Sequence, residues 1–256
     1  MTVALFHQIE ITTRCNFECF YCAGRSMPQR HMDWALFQSI LARVPPGSTV
    51  SLQGEGEPFL HPRFRDMVEA ICAAGLLPYV ITNATLIDDP AWVAARFPAV
   101  GVSLDTLDPA LSQRTGRLDL ARVLEGLERL RLVLQPASRL VLHTVNFGQA
   151  LEPVQEYARA RGFRHLVQGL QAKDDYARHY ASETVSGPCS WSCRYLEQPL
   201  MRFYNLDGVE MPCCFIKDSS QYRGAAALAA DLAAGRVPQS CRGCREIFPQ
   251  ATVDPW

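Results

Sequence analysis

Between residues 6 and 168 the chain alternates strand-like with helix-like stretches, and no other feature narrows its possible folds as far. Strand patterns cover 6–12, 49–52, 77–82, 100–104, 140–145 and 165–168. They show alternation, or short apolar runs bounded by turn residues. Helical patterns fill the gaps at 32–43, 64–74, 89–97, 118–134 and 151–161. The fourth of these carries Leu120, Val123, Leu124, Leu127, Leu130 and Leu134 on one face. Asp33 is placed to cap the first helix and Pro45-Pro46-Gly47 to stop it, while Gly75 ends the second. Strand and helix in strict turn predict an α/β fold, a parallel sheet with right-handed crossovers.

Cysteine usage adds the chemistry. The first strand runs into Cys15-Asn16-Phe17-Glu18-Cys19-Phe20-Tyr21-Cys22, a C-x3-C-x2-C spacing on a loop beyond the strand's carboxyl end. Ligands and chemistry gather at that end of parallel strands. Structural zinc and ordinary iron–sulfur clusters take four protein ligands. Three thiolates on a cube of four irons leave one iron open for a ligand that is not protein. The competing readings are three thiols that merely lie close together and a zinc ion that borrows a fourth ligand from elsewhere. The N-terminus has neither a basic segment nor a long apolar core, and no apolar run approaches the ~18 residues of a membrane span. A reducing cytoplasmic setting is therefore expected, in which ten cysteines point to metal or cluster ligation, not disulfides.

The cysteine spacing, with Tyr21 before the last cysteine and the first strand directly ahead, resembles the radical S-adenosylmethionine (SAM) enzymes. A closed TIM barrel needs eight strand–helix units. The six found here match what the resemblance implies, an open, partial (β/α)6 barrel. It further implies a [4Fe–4S] cluster on Cys15, Cys19 and Cys22, with the amino and carboxylate groups of SAM on the open iron. One electron then splits SAM into methionine and a 5′-deoxyadenosyl radical, which takes a hydrogen atom from substrate. Gln53-Gly54-Glu55-Gly56-Glu57-Pro58, at the end of the second strand, is similar to the family's GGEP segment, with Glu55 in place of its first glycine. By that likeness Gly56 and Glu57 hold the SAM amino group; a tight strand-to-helix turn would also use glycine here. Asn83 and Ser103, at the next two strand ends, fall where the family lines the ribose and methionine side, with Asp105 close by. Either could instead cap its own turn. In Arg-Thr-Gly-Arg, Arg114 or Arg117 could pair with the SAM carboxylate, and Arg114 is the one chosen; a solvated arginine is the alternative. Tyr21 is expected beside the cluster, its backbone near the adenine. No catalytic side chain is singled out. His143, Asn146 and Gln168 face substrate if they point inward, although a satisfied core histidine is the simpler reading of His143.

After residue 171 the texture changes. A polar, irregular stretch leads to Cys189, Cys193, Cys213, Cys214, Cys241 and Cys244. Asp207-Gly208 between two apolar runs signals a hairpin, and 225–234 a helix stopped by Gly235. So small a unit buries little core and calls for a metal staple. The boundary is placed between 1–175, the partial barrel, and 176–256, the cysteine-rich unit. That unit resembles the shortened SPASM domain called twitch, a β-hairpin and helix around one auxiliary [4Fe–4S] cluster. The likeness assigns Cys193, Cys213, Cys241 and Cys244 as its ligands, with Cys189 and Cys214 as near-equivalent neighbours. A zinc ribbon suits the same C-x2-C pair.

The reading is thus a radical SAM oxidoreductase with SAM and two [4Fe–4S] clusters. It carries out a two-electron oxidation of a small polar metabolite, aminocyclitol- or carbohydrate-like, in natural-product biosynthesis. Ribosomal-peptide modification by cross-linking or epimerisation is the first alternative, a non-catalytic zinc or iron–sulfur partner-binding protein the second. With Cys15 arriving so early no room is expected for a preceding peptide-binding domain, which favours the metabolite or a peptide delivered by a partner. The expected partners are that substrate or a peptide, and an electron donor such as flavodoxin or ferredoxin. A net charge of −1 and a pI near 6.6 give no footing for nucleic acid or an acidic membrane.

Overall fold

A computed structural model describes residues 6–171, 190–199, 201–216 and 219–250. Six strands follow one another in parallel: β1 (Phe6–Ile9), β2 (Thr49–Leu52), β3 (Leu77–Thr82), β4 (Val100–Ser103), β5 (Leu140–Asn146) and β6 (Arg164–Gly169). Between them lie α1 (Trp34–Leu41), α2 (Phe64–Ala73), α3 (Pro90–Arg96), α4 (Pro109–Arg114), α5 (Leu120–Val133) and α6 (Glu152–Arg161). Alternation along each strand divides the two faces of the sheet. Ile9, Leu52, Val80, Val102 and Leu142 face outward and join one core with Phe37, Met67, Ile71 and Leu127 from the helices. Each such side chain contributes about 1.5–3 kcal/mol by leaving water. Their neighbours Gln8, Tyr79, Ile81 and His143 line a cavity on the inner face.

The helix starts follow their capping residues. Asp33 accepts from the Ala35 and Leu36 amides, and Asp89, ahead of Pro90, accepts from Trp92. Asp108 caps α4 in the same way. That helix of six residues was not foreseen, being too short for periodicity to register. The first strand ends earlier than the apolar pattern does: Thr12 makes only an isolated bridge to His31.

The C-terminal segment does not stand apart from this sheet. It comprises β7 (Trp191–Cys193), α7 (Arg194–Glu197), β8 (Met201–Tyr204), β9 (Glu210–Met211), α8 (Ala225–Ala233) and β10 (Ile247–Pro249). The expected hairpin forms as β8–β9, with Gly208 at φ +74° in its turn. Yet β8 also pairs in parallel with β1, Phe6 opposite Met201 and Ile9 opposite Tyr204. One eight-stranded sheet results, β6-β5-β4-β3-β2-β1-β8-β9, and it does not close. β10 pairs with β7 in a separate antiparallel ribbon. Across the open side the Arg245 amide donates to Gln171 Oε1 (3.0 Å), tying the C-terminal segment to the end of β6. A second core holds Trp191, Met201, Phe203, Met211, Leu228 and Leu232. The boundary expected at 175/176 lies outside the described residues.

Candidate active site

The loop after β1 is shaped by backbone packing on two sides. On one, the amides of Glu18 and Phe20 donate to the carbonyls of Gly116 and Thr115 (2.9 and 3.0 Å). Gly116 has φ +80°, and a Cβ there would lie 2.0 Å from Glu18 O. On the other, the Glu57 amide donates to Arg14 O (2.8 Å), and a Cβ on Gly56 would meet Thr12 O and Arg14 O at 2.5 and 2.6 Å. The glycine at 56 therefore makes room for the cysteine loop itself, whereas its place in the sequence suggested room for a ligand. Side chains complete the frame: Asn83 Nδ2 donates to Asn16 Oδ1 (2.8 Å), and Asn16 Nδ2 to Thr85 Oγ1 (2.9 Å).

Held this way, Cys15, Cys19 and Cys22 line one cavity of about 740 Å3 together with Tyr21, Gly56, Glu57, Asn83 and Ser103. Burial pushes the thiols of Cys19 and Cys22 up, and positive charge brought beside them would favour the thiolate. Among the described residues no three His, Cys, Asp or Glu side chains converge closely enough for a single metal ion. Three cysteines around one cavity suit a cluster of several irons, whose corner ligands stand farther apart than those of one ion. Glu55, where a glycine was expected from the likeness, sets its carboxylate 3.1 Å from Cys22 Sγ and accepts from the Gly24 amide (3.3 Å).

Glu57 is buried at the rim. Thr82 Oγ1 and the Phe59 amide donate to its Oε1 (2.7 and 3.2 Å), the Asn83 amide to its Oε2 (2.7 Å). Burial nevertheless raises its pKa to about 7, against the pull of those donors. Facing it, Arg117 Nε donates to Asp105 Oδ2 (2.5 Å) and to the Tyr21 hydroxyl (2.8 Å), and Nη1 to Ser103 O (3.2 Å). Tyr21 in turn donates to Asp105. Burial works against the Arg117 charge, but Asp105 and then Tyr21 hold it on, well above the ordinary arginine value. Arg114, three residues earlier, is exposed at the end of α4 and does not line the cavity. The cation on this wall is Arg117. Asn146 is exposed, while His143 and Gln168 line the cavity. Alternation along β1 and β3 also brings in Gln8 and Tyr79, which the strand patterns contained but which were not singled out, and β6 brings in Arg164, one residue ahead of the pattern placed at 165–168.

The C-terminal cysteines separate by side. Cys193, Cys213 and Cys241 are buried in the second core; Cys244, half-buried, follows Cys241 in a turn closed by its own amide on Cys241 O (3.1 Å). Cys214 packs against that core and also lines the main cavity. Cys189 lies outside the described residues.

Comparison with known proteins matches residues 9–160 to the radical SAM superfamily. A tungsten-containing aldehyde ferredoxin oxidoreductase cofactor-modifying protein of Pyrococcus furiosus is 30% identical over 152 residues, 55% of this chain and 41% of that one. A GTP 3′,8-cyclase of Aliarcobacter butzleri is 30% identical over 189 residues, 65% of this chain and 57% of that one. The matches thus span about half the length of these curated relatives. Among solved structures, Streptococcus suis SuiB bound to its precursor peptide SuiA superposes with a TM-score of 0.65 at 16% identity, covering 84% of this chain and 61% of SuiB. The anSMEcpe protein with bound AdoMet gives 0.60 at 18% identity, covering 84% of this chain and 76% of that one. At such identities the shared feature is the fold.

Proposed function

This chain belongs to the radical SAM superfamily, and from that premise we propose an oxidoreductase that cleaves SAM reductively and removes two electrons from a small polar metabolite of carbohydrate or aminocyclitol type. The observation that carries the reading is a single cavity lined at its mouth by Cys15, Cys19, Cys22, Glu57, Asn83, Ser103 and Arg117. Cys15, Cys19 and Cys22 would hold a [4Fe–4S] cluster, which with SAM bound would supply the reducing electron and the radical chemistry for hydrogen abstraction. The chain's own task is to place the ligand. Glu57, costly to ionise where it sits, gains most from an ammonium group alongside, as SAM carries. Asn83 and Ser103 offer hydrogen bonds to the ribose side, and Arg117 takes the role first given to Arg114, a fixed positive charge on the wall. Tyr21 and Asp105 hold that guanidinium in place.

We assign Cys193, Cys213, Cys241 and Cys244 to a second, auxiliary cluster in a twitch-like unit. Support comes from three of the four being buried in one small core. A cluster held by these cysteines would supply an acceptor for the second electron of the oxidation. A flavodoxin or ferredoxin serves as the donor for the first cluster. A second reading, modification of a peptide, is favoured by SuiB, a fold neighbour seen with a precursor peptide.

The test is anaerobic reconstitution with iron and sulfide, then dithionite and SAM. The wild type should form 5′-deoxyadenosine and the triple variant Cys15→Ala, Cys19→Ala, Cys22→Ala none; equal formation by both would reject the site. In heavy water, an oxidised product without deuterium at the reacting carbon supports oxidation. Solvent deuterium at one carbon with no oxidised product would instead establish epimerisation.

A further inference from the structure

Glu55 stands where the family likeness has a glycine. It is half-buried in the cavity wall, beside a cysteine of the loop after β1. Two of its oxygens face Cys22 Sγ, the side-chain Oε2 at 3.1 Å and the main-chain carbonyl at 3.4 Å. While Cys22 is a thiol, its S–H donates to them. Ligation of iron removes that proton, and the sulfur then meets two oxygens with nothing to donate. Oε2 also accepts from the Gly24 amide (3.3 Å), so it is an acceptor in both contacts.

Main-chain packing, more than a choice of rotamer, fixes Glu55 there. Its amide donates to Oε1 of the buried Glu10 (2.9 Å). On the other side the loop that carries Cys22 comes so close that residue 24 has no room for a side chain. A Cβ on Gly24 would lie 2.7 Å from Glu55 O, 2.9 Å from Glu55 Cβ and 3.2 Å from Cys22 Sγ. Glycine at 24 and glutamate at 55 are therefore one arrangement, and it seats an acidic side chain on one corner of the cysteine set. An iron–sulfur cluster gains one negative charge on reduction, and its potential follows the charges and hydrogen bonds at its sulfurs. A negative charge a few ångströms away opposes that gain.

We propose that Glu55 sets the reduction potential of the site: its carboxylate, held against Cys22, makes a cluster on Cys15, Cys19 and Cys22 harder to reduce and, once reduced, a stronger one-electron donor. This rests on the cluster reading above and adds a residue that the cysteine spacing does not contain. Glu55 acts through Cys22 and needs no contact with SAM or substrate. For the reaction the effect is two-sided. The electron from the external donor enters less readily. The same electron leaves with more drive when it breaks a carbon–sulfur bond of SAM, giving methionine and the 5′-deoxyadenosyl radical.

The experiment is a redox titration of the reconstituted holoenzyme, followed by electron paramagnetic resonance of the reduced cluster. The signal that belongs to Cys15, Cys19 and Cys22 is the one missing from their triple alanine variant. Glu55→Gln keeps the shape and removes the charge. Glu55→Met removes the charge without adding an N–H beside the sulfur. Both should make the cluster about tenfold easier to reduce at equilibrium, a rise of about 59 mV for one electron. Glu55→Asp keeps the carboxylate and should stay closer to wild type than either. An unchanged or lower potential in the two neutral variants overturns the proposal. So does a rise confined to Glu55→Gln, which would trace to a new N–H···S bond. Iron and sulfide per chain, measured on the same samples, keep two failures apart. A wild type without a cluster at the three cysteines rejects the site and this role with it, whereas a full cluster whose potential ignores residue 55 rejects the role of Glu55 alone.

Discussion

Arg117 is the side chain that most of the site's wall leans on. It is nearly buried against Asp105, which is fully buried. Arg117→Ala would leave that carboxylate unpaired, a loss of about 3–5 kcal/mol by chemical denaturation. Arg114→Ala, at an exposed position, should stay within about 0.5 kcal/mol and keep SAM affinity. The two arginines look alike in the sequence, because which one faces inward depends on where α4 stops. Glu57 makes a prediction with pH. Its ordinary value is 4.5 and its folded value about 7, so across that window the folded chain keeps a proton the unfolded chain has released. Stability therefore falls as pH rises from about 5 to 8, by up to about 3 kcal/mol from this group. His143 contributes the opposite slope, since its folded value lies below its ordinary one. The measurement is accordingly the difference between wild type and Glu57→Gln in denaturant midpoint across that range; a difference that does not change with pH would refute the assignment.

At the scale of elements, two loops and a helix end are packed too closely for side chains. Gly56→Ala and Gly116→Ala each drive a Cβ into main-chain carbonyls of the cysteine loop, and Gly116 also needs its positive φ. Both variants should retain clearly less iron per chain after reconstitution than wild type. Iron content at the wild-type level would mean that the loop moves freely. Most of the elements were legible beforehand. The barrel strands and five of their helices form close to where periodicity placed them, although β1 stops at Ile9 instead of residue 12. What escaped was short or long-range. β7 and β10 span three residues each. The adjacent Cys213 and Cys214 differ in which cavity or core they meet, and a spacing pattern is blind to that. β8 joins β1 through pairing that leaves no local mark on either segment.

On the whole molecule, the second core is small and three of its ten buried members are cysteines. Cys193→Ala with Cys241→Ala should therefore loosen the region around 190–250, seen as faster proteolysis there. SAM cleavage should persist while the yield of oxidised product drops; full yield would show that no electron passes through these cysteines. The pairing of β8 with β1 bears on how the protein is made. β1 ends at residue 9 and β8 begins at residue 201. At ribosomal speeds of roughly 5–20 residues per second, the first strand waits about 10 to 40 s for that neighbour. Until then the strand that feeds the cysteine loop has a bare hydrogen-bonding edge, open to another nascent chain. A ribosome stalled before residue 201 therefore leaves that edge uncovered.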